Sequence, residues 1–211
     1  MFTGLVEEIG KVEKVTNIGE GREITVSAEI VLNNISEGDS INVNGACQTV
    51  TKFDKKTFTV IAVEETIRKT NLGLLKKGDA VNLESSLSMN KKIGGHFVLG
   101  HVDVTGKILN VKKNPASYLV EISYPKEFAQ YIIHVGSICI EGISLTVADF
   151  NERSLTVSII PHTWQNTNLK EKTTGSVVNL EFDVLGKYVA KILGKDTGSK
   201  ISEEWLRNLG Y

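Results

Sequence analysis

The chain repeats itself once. Ser40-Ile-Asn-Val-Asn-Gly-Ala-Cys-Gln-Thr-Val50 aligns with Ser137-Ile-Cys-Ile-Glu-Gly-Ile-Ser-Leu-Thr-Val147, an offset of 97 residues (Ser40 to Ser137). The same offset sets Thr57-Phe-Thr-Val60 on Ser154-Leu-Thr-Val157, Thr70-Asn-Leu72 on Thr167-Asn-Leu169, and Val81-Asn-Leu-Glu84 on Val178-Asn-Leu-Glu181. Near the start the offset becomes 96 (Gly10 to Gly106), pairing Gly4 with Gly100. One slipped residue over that distance fits a loop deletion. A period this long is not a solenoid unit; it describes a duplicated domain.

Each copy reads as strand. Val43, Val50, Phe58 and Val60 alternate with polar residues, as do Ile138, Ile140, Leu145 and Val147, the two-residue period of a half-buried strand. Gly38-Asp39, Gly78-Asp79 and Asp54-Lys55-Lys56 mark turns. Short strands with turns between them predict an all-β chain of two tandem, homologous, six-stranded antiparallel Greek-key barrels. The expected division is 1–96, 97–184 and a tail, 185–211. A short helix is expected within 66–75 and its twin within 163–171. In the tail, Tyr188, Val189, Ile192 and Leu193 have helical spacing and predict a C-terminal helix. Beyond turns at 195–200, Ser202 before Glu203 and Glu204 reads as an N-cap, with Trp205, Leu206 and Leu209 on one face. Such a stripe packs either on its own barrel or on another subunit.

Bulk properties exclude several classes. The 211 residues carry a formal net charge of −1, without the basic excess of a nucleic-acid binder. No apolar run approaches the roughly 20 residues that span a bilayer, and the N-terminus lacks the pattern of a signal peptide. Two cysteines, Cys47 and Cys139, suggest no disulfide framework and predict a cytoplasmic protein. Four scattered histidines and two cysteines predict no metal site.

Several residues are candidates for chemistry. Cys47 reads either as a buried strand thiol or as a pocket residue, and its repeat partner is Ser144, also small and nucleophilic. His96 and His101 lie in a glycine-rich segment, Gly94 to His101, where the backbone can approach a ligand closely. Their five-residue spacing on a strand would point them to opposite faces, against a shared metal. Ser40, Thr49, Thr66, Ser144, Thr146 and Thr163 stand near predicted strand ends. As a group they suit a flat heteroaromatic ring bearing a polyol chain. Glu65 reads as a ribityl-hydroxyl acceptor or as a solvated turn acid.

These motifs together resemble the riboflavin synthase family. Met1-Phe-Thr-Gly4, Asn44-Gly45-Ala-Cys47-Gln-Thr-Val50, Gly94-Gly95-His96 with Gly100-His101, Gly142-Ile-Ser-Leu-Thr-Val147, Thr70-Asn-Leu-Gly73, and Val178-Asn-Leu-Glu181 followed by Asp183 carry the resemblance over nearly the whole chain. The resemblance implies dismutation of two 6,7-dimethyl-8-ribityllumazine molecules by four-carbon transfer, giving riboflavin and 5-amino-6-(D-ribitylamino)uracil, without cofactor or metal. It implies a homotrimer with the reaction shared between the first barrel of one chain and the second of another, and it raises lumazine synthase as a further partner. Carried over by position, the catalytic set is Ser40, Cys47, His101, Ser144 and Asp183. The implied substrate-binding residues are Gly4, Leu5 and Val6; Cys47, Gln48 and Thr49; Ile61, Ala62, Val63, Glu64, Glu65 and Thr66; Gly100, His101 and Val102; Ser144, Leu145 and Thr146; and Ser158, Ile159, Ile160, Pro161, His162 and Thr163.

The residue types fit that chemistry. The lumazine C7 methyl is acidic because its carbanion delocalises into the ring, and His101 suits a general base near neutral pH. Cys47 or Ser144 suits a nucleophile that activates the acceptor, and holding two rings face to face removes the cost of a bimolecular encounter. The copies carry unlike groups at matched places, Cys47 opposite Ser144 and Leu5 opposite His101, as unlike donor and acceptor roles require. Two positions depart from the family pattern: Gln48, where Leu is frequent, and Val135, where a basic residue is frequent. The rival readings are a non-catalytic lumazine-binding antenna protein on the same fold and, more distantly, a flavin-dependent reductase.

Overall fold

A computed structural model describes residues 1–194. The turns expected at 195–200 and the Ser202, Trp205, Leu206 and Leu209 segment lie outside the described residues. The first closed barrel comprises β1 (Glu8–Ile18), β2 (Gly21–Ser27), β3 (Ser40–Val43), β4 (Ala46–Phe53), β5 (Thr57–Ala62) and β6 (Ala80–Ser85). Its order is β1-β2-β5-β4-β3-β6, antiparallel throughout. The second comprises β7 (Val104–Lys113), β8 (Tyr118–Ser123), β9 (Ser137–Ile140), β10 (Ile143–Phe150), β11 (Ser154–Ile159) and β12 (Val177–Phe182). It closes in the same cyclic order.

The duplication reaches into the irregularities. Register shifts between Val12 and Lys14 and between Val50 and Lys52 recur between Ile108 and Asn110 and between Val147 and Asp149. Bulges of this kind bend and twist strands, which a small barrel needs in order to close. The β3–β4 and β9–β10 hairpins turn on Asn44-Gly45 and Glu141-Gly142, all four residues with φ between 51° and 87°, the two-residue turn whose twist suits flanking strands. At 54–57, the Asp54 carboxylate accepts the amides of Lys56 and Thr57. Each barrel has its own apolar core, including Val43, Val50, Phe58 and Val60 in the first and Ile138, Ile140, Leu145 and Val147 in the second.

Two helical expectations are adjusted. Helix α1 runs over Glu64–Lys69 and α2 over Pro161–Gln165, each followed by a separate 3₁₀ turn, at Asn71–Leu74 and Asn168–Glu171. The break falls at Thr70 and Thr167, both extended. Each threonine returns its hydroxyl to a carbonyl four residues back, at Thr66 or Thr163. The next residues then point their amides away from the helix, into the seam between the barrels.

That seam is polar and pseudo-twofold. Asn71 N–H donates to Asn179 Oδ1 and Asn168 N–H to Asn82 Oδ1, both at 2.7 Å. Asn82 Nδ2 donates to the Glu141 carbonyl and Asn179 Nδ2 to that of Asn44. Gly45 and Gly142 meet so closely that a Cβ on Gly45 would lie 2.9 Å from the Gly142 nitrogen. Asn42 and Cys139, which strand alternation assigns to the outer face, are buried here by the facing barrel. The axis also passes between Phe2 and Val98, repeat equivalents that pair with each other through Phe2 N–H to Val98 O at 2.7 Å.

Helix α3 (Val184–Ile192) follows β12 and is capped by the Asp183 carboxylate, which accepts the Leu185 amide at 2.9 Å. Its Leu185, Tyr188, Val189 and Ile192, with Leu193 beyond, are largely exposed while Ala190 is buried. The stripe read from the sequence is thus largely exposed, with Val189 and Leu193 lining a groove beside Tyr131 and Ile133 of the second barrel.

Candidate functional site

The segments before the two barrels change places. Residues 1–6 lead into β1, yet the Gly4 carbonyl accepts the amide of Ser144 on β10 at 2.8 Å, and Val6 packs on the second barrel's core. Residues 96–102 lead toward β7, yet the Gly100 carbonyl accepts the amide of Cys47 on β4 at 2.8 Å, and Val102 packs on the first core. These two straps run antiparallel and pair at Phe2 and Val98. Gly4 (φ +74°) and Gly100 (φ +79°) are required: a Cβ on either would lie 2.6 Å from the Cβ of Ser144 or Cys47.

The exchange sorts the expected residues into two sets. Around Cys47, a cavity of about 160 Å³ is lined by Cys47, Gln48, Glu65, Thr66, Gly100, His101 and Val102, with Lys69 and Thr70. Gln48 is buried, and its amide donates to the Cys47 carbonyl at 2.6 Å. Thr49 stands exposed on the same strand, while Ile61 and Val63 are partly exposed and Ala62 is buried. Glu64 and Glu65 occupy the first turn of α1. Glu65 pairs with Lys69 at 2.8 Å and with Arg68, and the hydrogen bond from Lys69 holds its carboxyl below the usual range.

The residues at the repeat positions of that set are Gly4, Leu5, Val6, Ser144, Leu145 and Thr146, with Ser158, Ile159, Ile160, Pro161, His162 and Thr163 matching the first set's β5–α1 corner. Leu5 and Ile160 are exposed, Leu145 and Ile159 buried. Ser144 Oγ lies 2.7 Å from His96 Nδ1. Burial holds the His96 pKa below its ordinary 6.5, opposed by the charge of Asp183. A largely neutral imidazole in contact with a hydroxyl is the geometry of a nucleophile and its base. The sequence reading left His96 without a role at a site. Its signal was Gly95, where a Cβ would fall 2.7 Å from that of Ser144.

His101 and Ser144, both assigned by sequence to the second repeat, are therefore separated, and His101 joins Cys47. Ser40 lies opposite Thr49 in the β3–β4 ladder but lines a different cavity of about 530 Å³, with Glu7, Asp39, Ser85 and Lys91. Asp183 serves as the α3 cap and acts on His96 through its charge. Cys139 is fully buried, and burial, then the Glu181 charge, pushes its thiol well up, so only Cys47 is placed for thiol chemistry. Val135 is exposed with φ +60° at the repeat position of Gly38 (φ +90°).

A family model described as Lumazine binding domain matches residues 3–86 and again 99–183. Riboflavin synthase of Actinobacillus pleuropneumoniae is 43% identical over 215 residues, spanning both chains in full. Riboflavin synthase of Bacillus subtilis (strain 168) is 39% identical over 203 residues, 96% of this chain and 94% of that one. That of Schizosaccharomyces pombe is 39% identical over 197 residues, 92% and 94% respectively. Among solved structures, LumP complexed with riboflavin superposes with a TM-score of 0.81 at 22% identity, over 86% of this chain and 99% of that one. LumP complexed with 6,7-dimethyl-8-(1'-D-ribityl) lumazine gives 0.79 over the same shares. At that identity the likeness shows the fold alone.

Proposed function

The chain belongs to the riboflavin synthase family, and from that premise we infer that it makes riboflavin by passing a four-carbon unit between two 6,7-dimethyl-8-ribityllumazine molecules. One molecule loses four carbons and leaves as 5-amino-6-(D-ribitylamino)uracil; the other gains them. The observation that carries a two-substrate reading is the pair of pseudo-equivalent strap contacts, Gly100 on Cys47 and Gly4 on Ser144, with unlike groups beside them. The first offers a thiol, Cys47, beside His101; the second offers Ser144 on His96, with the Asp183 charge nearby. Each pocket takes one lumazine ring. His101 takes the C7-methyl proton of the donor, and Cys47 or the Ser144–His96 pair activates the acceptor carbon.

The exposed apolar side of α3 supports assembly of the chain into a homotrimer, with a first pocket of one subunit facing a second pocket of its neighbour. Two free thiols suit a reducing cytoplasm, and no described helix is long and apolar enough to cross a membrane. Turnover of the lumazine, followed by the absorbance of riboflavin, tests the activity. Stoichiometric binding of both ligands without turnover would instead make the chain a binding protein on this fold. The shared site is tested by mixing a Cys47→Ala/His101→Gln variant with a Ser144→Ala/His96→Gln variant. Recovered activity after subunit exchange supports it, and complete exchange with no recovery refutes it.

A further inference from the structure

The repeated Val-Asn-Leu-Glu segments at 81–84 and 178–181 end on two glutamates that the reaction does not use. Glu84 and Glu181 are 1% and 3% exposed. Glu84 accepts the Thr3 amide at 2.8 Å and hydroxyl at 2.7 Å with one oxygen, and the Gly4 amide at 3.0 Å with the other. Glu181 accepts the Leu99 amide at 2.7 Å and the His101 amide at 2.9 Å, one on each oxygen. Burial pushes both carboxyls above their ordinary range, and the backbone donors oppose that push. Each is flanked by an equivalent ion pair, Lys91 with Glu7 and Lys187 with Asp103.

A buried carboxylate is costly unless its oxygens are filled, and here backbone N–H groups of the straps fill them. Glu181 grips the strap on both sides of Gly100. That grip aims the Gly100 carbonyl at the Cys47 amide and fixes the backbone of His101. Glu84 grips Thr3 and Gly4 and aims the Gly4 carbonyl at the Ser144 amide. Each carboxylate belongs to one barrel and organises the pocket on the other.

We propose that Glu84 and Glu181 are positioning residues, one per pocket: Glu181 sets the Gly100–His101 strap against Cys47, and Glu84 sets the Thr3–Gly4 strap against Ser144. This rests on the reading of Cys47 and Ser144 as pocket residues. The two carboxylates then act on separate pockets, which a general contribution to barrel stability would not do.

The test uses full-length Glu181→Gln and Glu84→Gln, the isosteric change that turns one acceptor into a donor facing an N–H. Glu181→Gln is expected to speed hydrogen exchange at the Leu99, His101 and Cys47 amides by roughly 10- to 100-fold, leaving Thr3 and Ser144 protected. Its kcat is expected to fall about 10- to 100-fold, with a smaller change in KM. Glu84→Gln is expected to loosen Thr3, Gly4 and Ser144 instead. Should Glu181→Gln not fold, Gly100→Ala lifts the same strap from its other side and is expected to loosen Leu99 and His101 and lower kcat. Unchanged exchange, loosening of both straps by either variant, or a loosened strap with wild-type kcat overturns the proposal. Full turnover by His101→Gln sinks only the assignment of His101 as base, because the positioning effect is read at the Cys47 amide.

Discussion

Glu141 is fully buried in the seam, at the repeat position of Asn44, and both have positive φ (53° and 51°). One Glu141 oxygen accepts the Asn179 amide and the Asn71 side-chain amide, both at 2.7 Å. The other accepts Asn168 Nδ2 at 3.0 Å and meets Lys172 at 3.3 Å. Across the axis, Asn44 Oδ1 accepts the equivalent two donors, Asn82 N–H and Asn168 Nδ2, at 2.8 and 3.0 Å. Asparagine at 141 can therefore reproduce the first copy's arrangement, and alanine cannot. Glu141→Ala strands a buried amide N–H and weakens the bonding of Asn71, at about 1–3 kcal/mol for each unsatisfied group. Over the two groups the sum, about 2–6 kcal/mol, overlaps the range for breaking a buried ion pair, about 3–5 kcal/mol. Glu141→Asn keeps both donors satisfied. Its losses are the second bond to Asn168 Nδ2, which Asn44 still accepts, and the bond to Lys172, whose side chain is 21% exposed and reaches water. These losses, with a buried Nδ2 left without a partner as that of Asn44 is, cost about 1–3 kcal/mol. Equilibrium urea denaturation followed by tryptophan fluorescence measures the difference, and lumazine turnover reports whether the barrels keep their relation. Asparagine no better than alanine would refute the symmetry argument.

Cys47→Ser should keep part of the activity, since a hydroxyl stands at the equivalent Ser144; His101→Gln should lose about 100- to 10,000-fold if His101 is the base, and steady-state kinetics ranks the two. His96 has a folded pKa below its ordinary 6.5, so its contribution to stability is present above that value and is lost as pH falls through the folded pKa. His96→Gln should flatten that acid limb in denaturation midpoints taken from pH 7 to pH 4; an unchanged limb would count against the burial of the ring. Val135→Gly should raise the unfolding free energy by about 1 kcal/mol, because a β-branched residue at φ +60° is strained where Gly38 is not; a destabilised variant would refute this. Replacing Leu185, Val189 and Ile192 with serine should yield smaller species in sedimentation while both barrels stay folded; an undisturbed assembly would show that α3 is not its contact.

The barrels were legible because their pattern is local. Alternation along β3, β4 and β5 and the matched offset report which side chains face a core. The seam was not, because Asn42 and Cys139 look like outer-face positions until another barrel covers them. The helix breaks at Thr70 and Thr167 have the same origin, since Asn71 and Asn168 send their amides across the axis. Motif resemblance named residues that line the cavity beside Cys47, but their grouping was not legible. His101 follows the first copy in sequence and so reads as part of the second, and only the crossing of the straps sets it beside Cys47. Glu65 shows the reverse: a carboxylate beside a ligand motif whose nearest partners are Lys69 and Arg68 on its own helix.

The crossing of the straps bears on how such a chain arises. Neither repeat completes its strap contact alone, because the Cys47 amide is met by Gly100 and the Ser144 amide by Gly4. A single ancestral unit with this geometry could complete its pocket only by lending its N-terminal segment to a twin and borrowing the twin's. Fusing two units end to end turns that loan into an intramolecular one, so the strap's effective concentration no longer depends on how much protein is present. Fusion also releases the two pockets from identity. A change in one unit of a self-paired dimer appears twice, whereas after fusion it appears once. Position 5 can then stay leucine while its counterpart becomes His101, and Cys47 can face a strap unlike the one that covers Ser144.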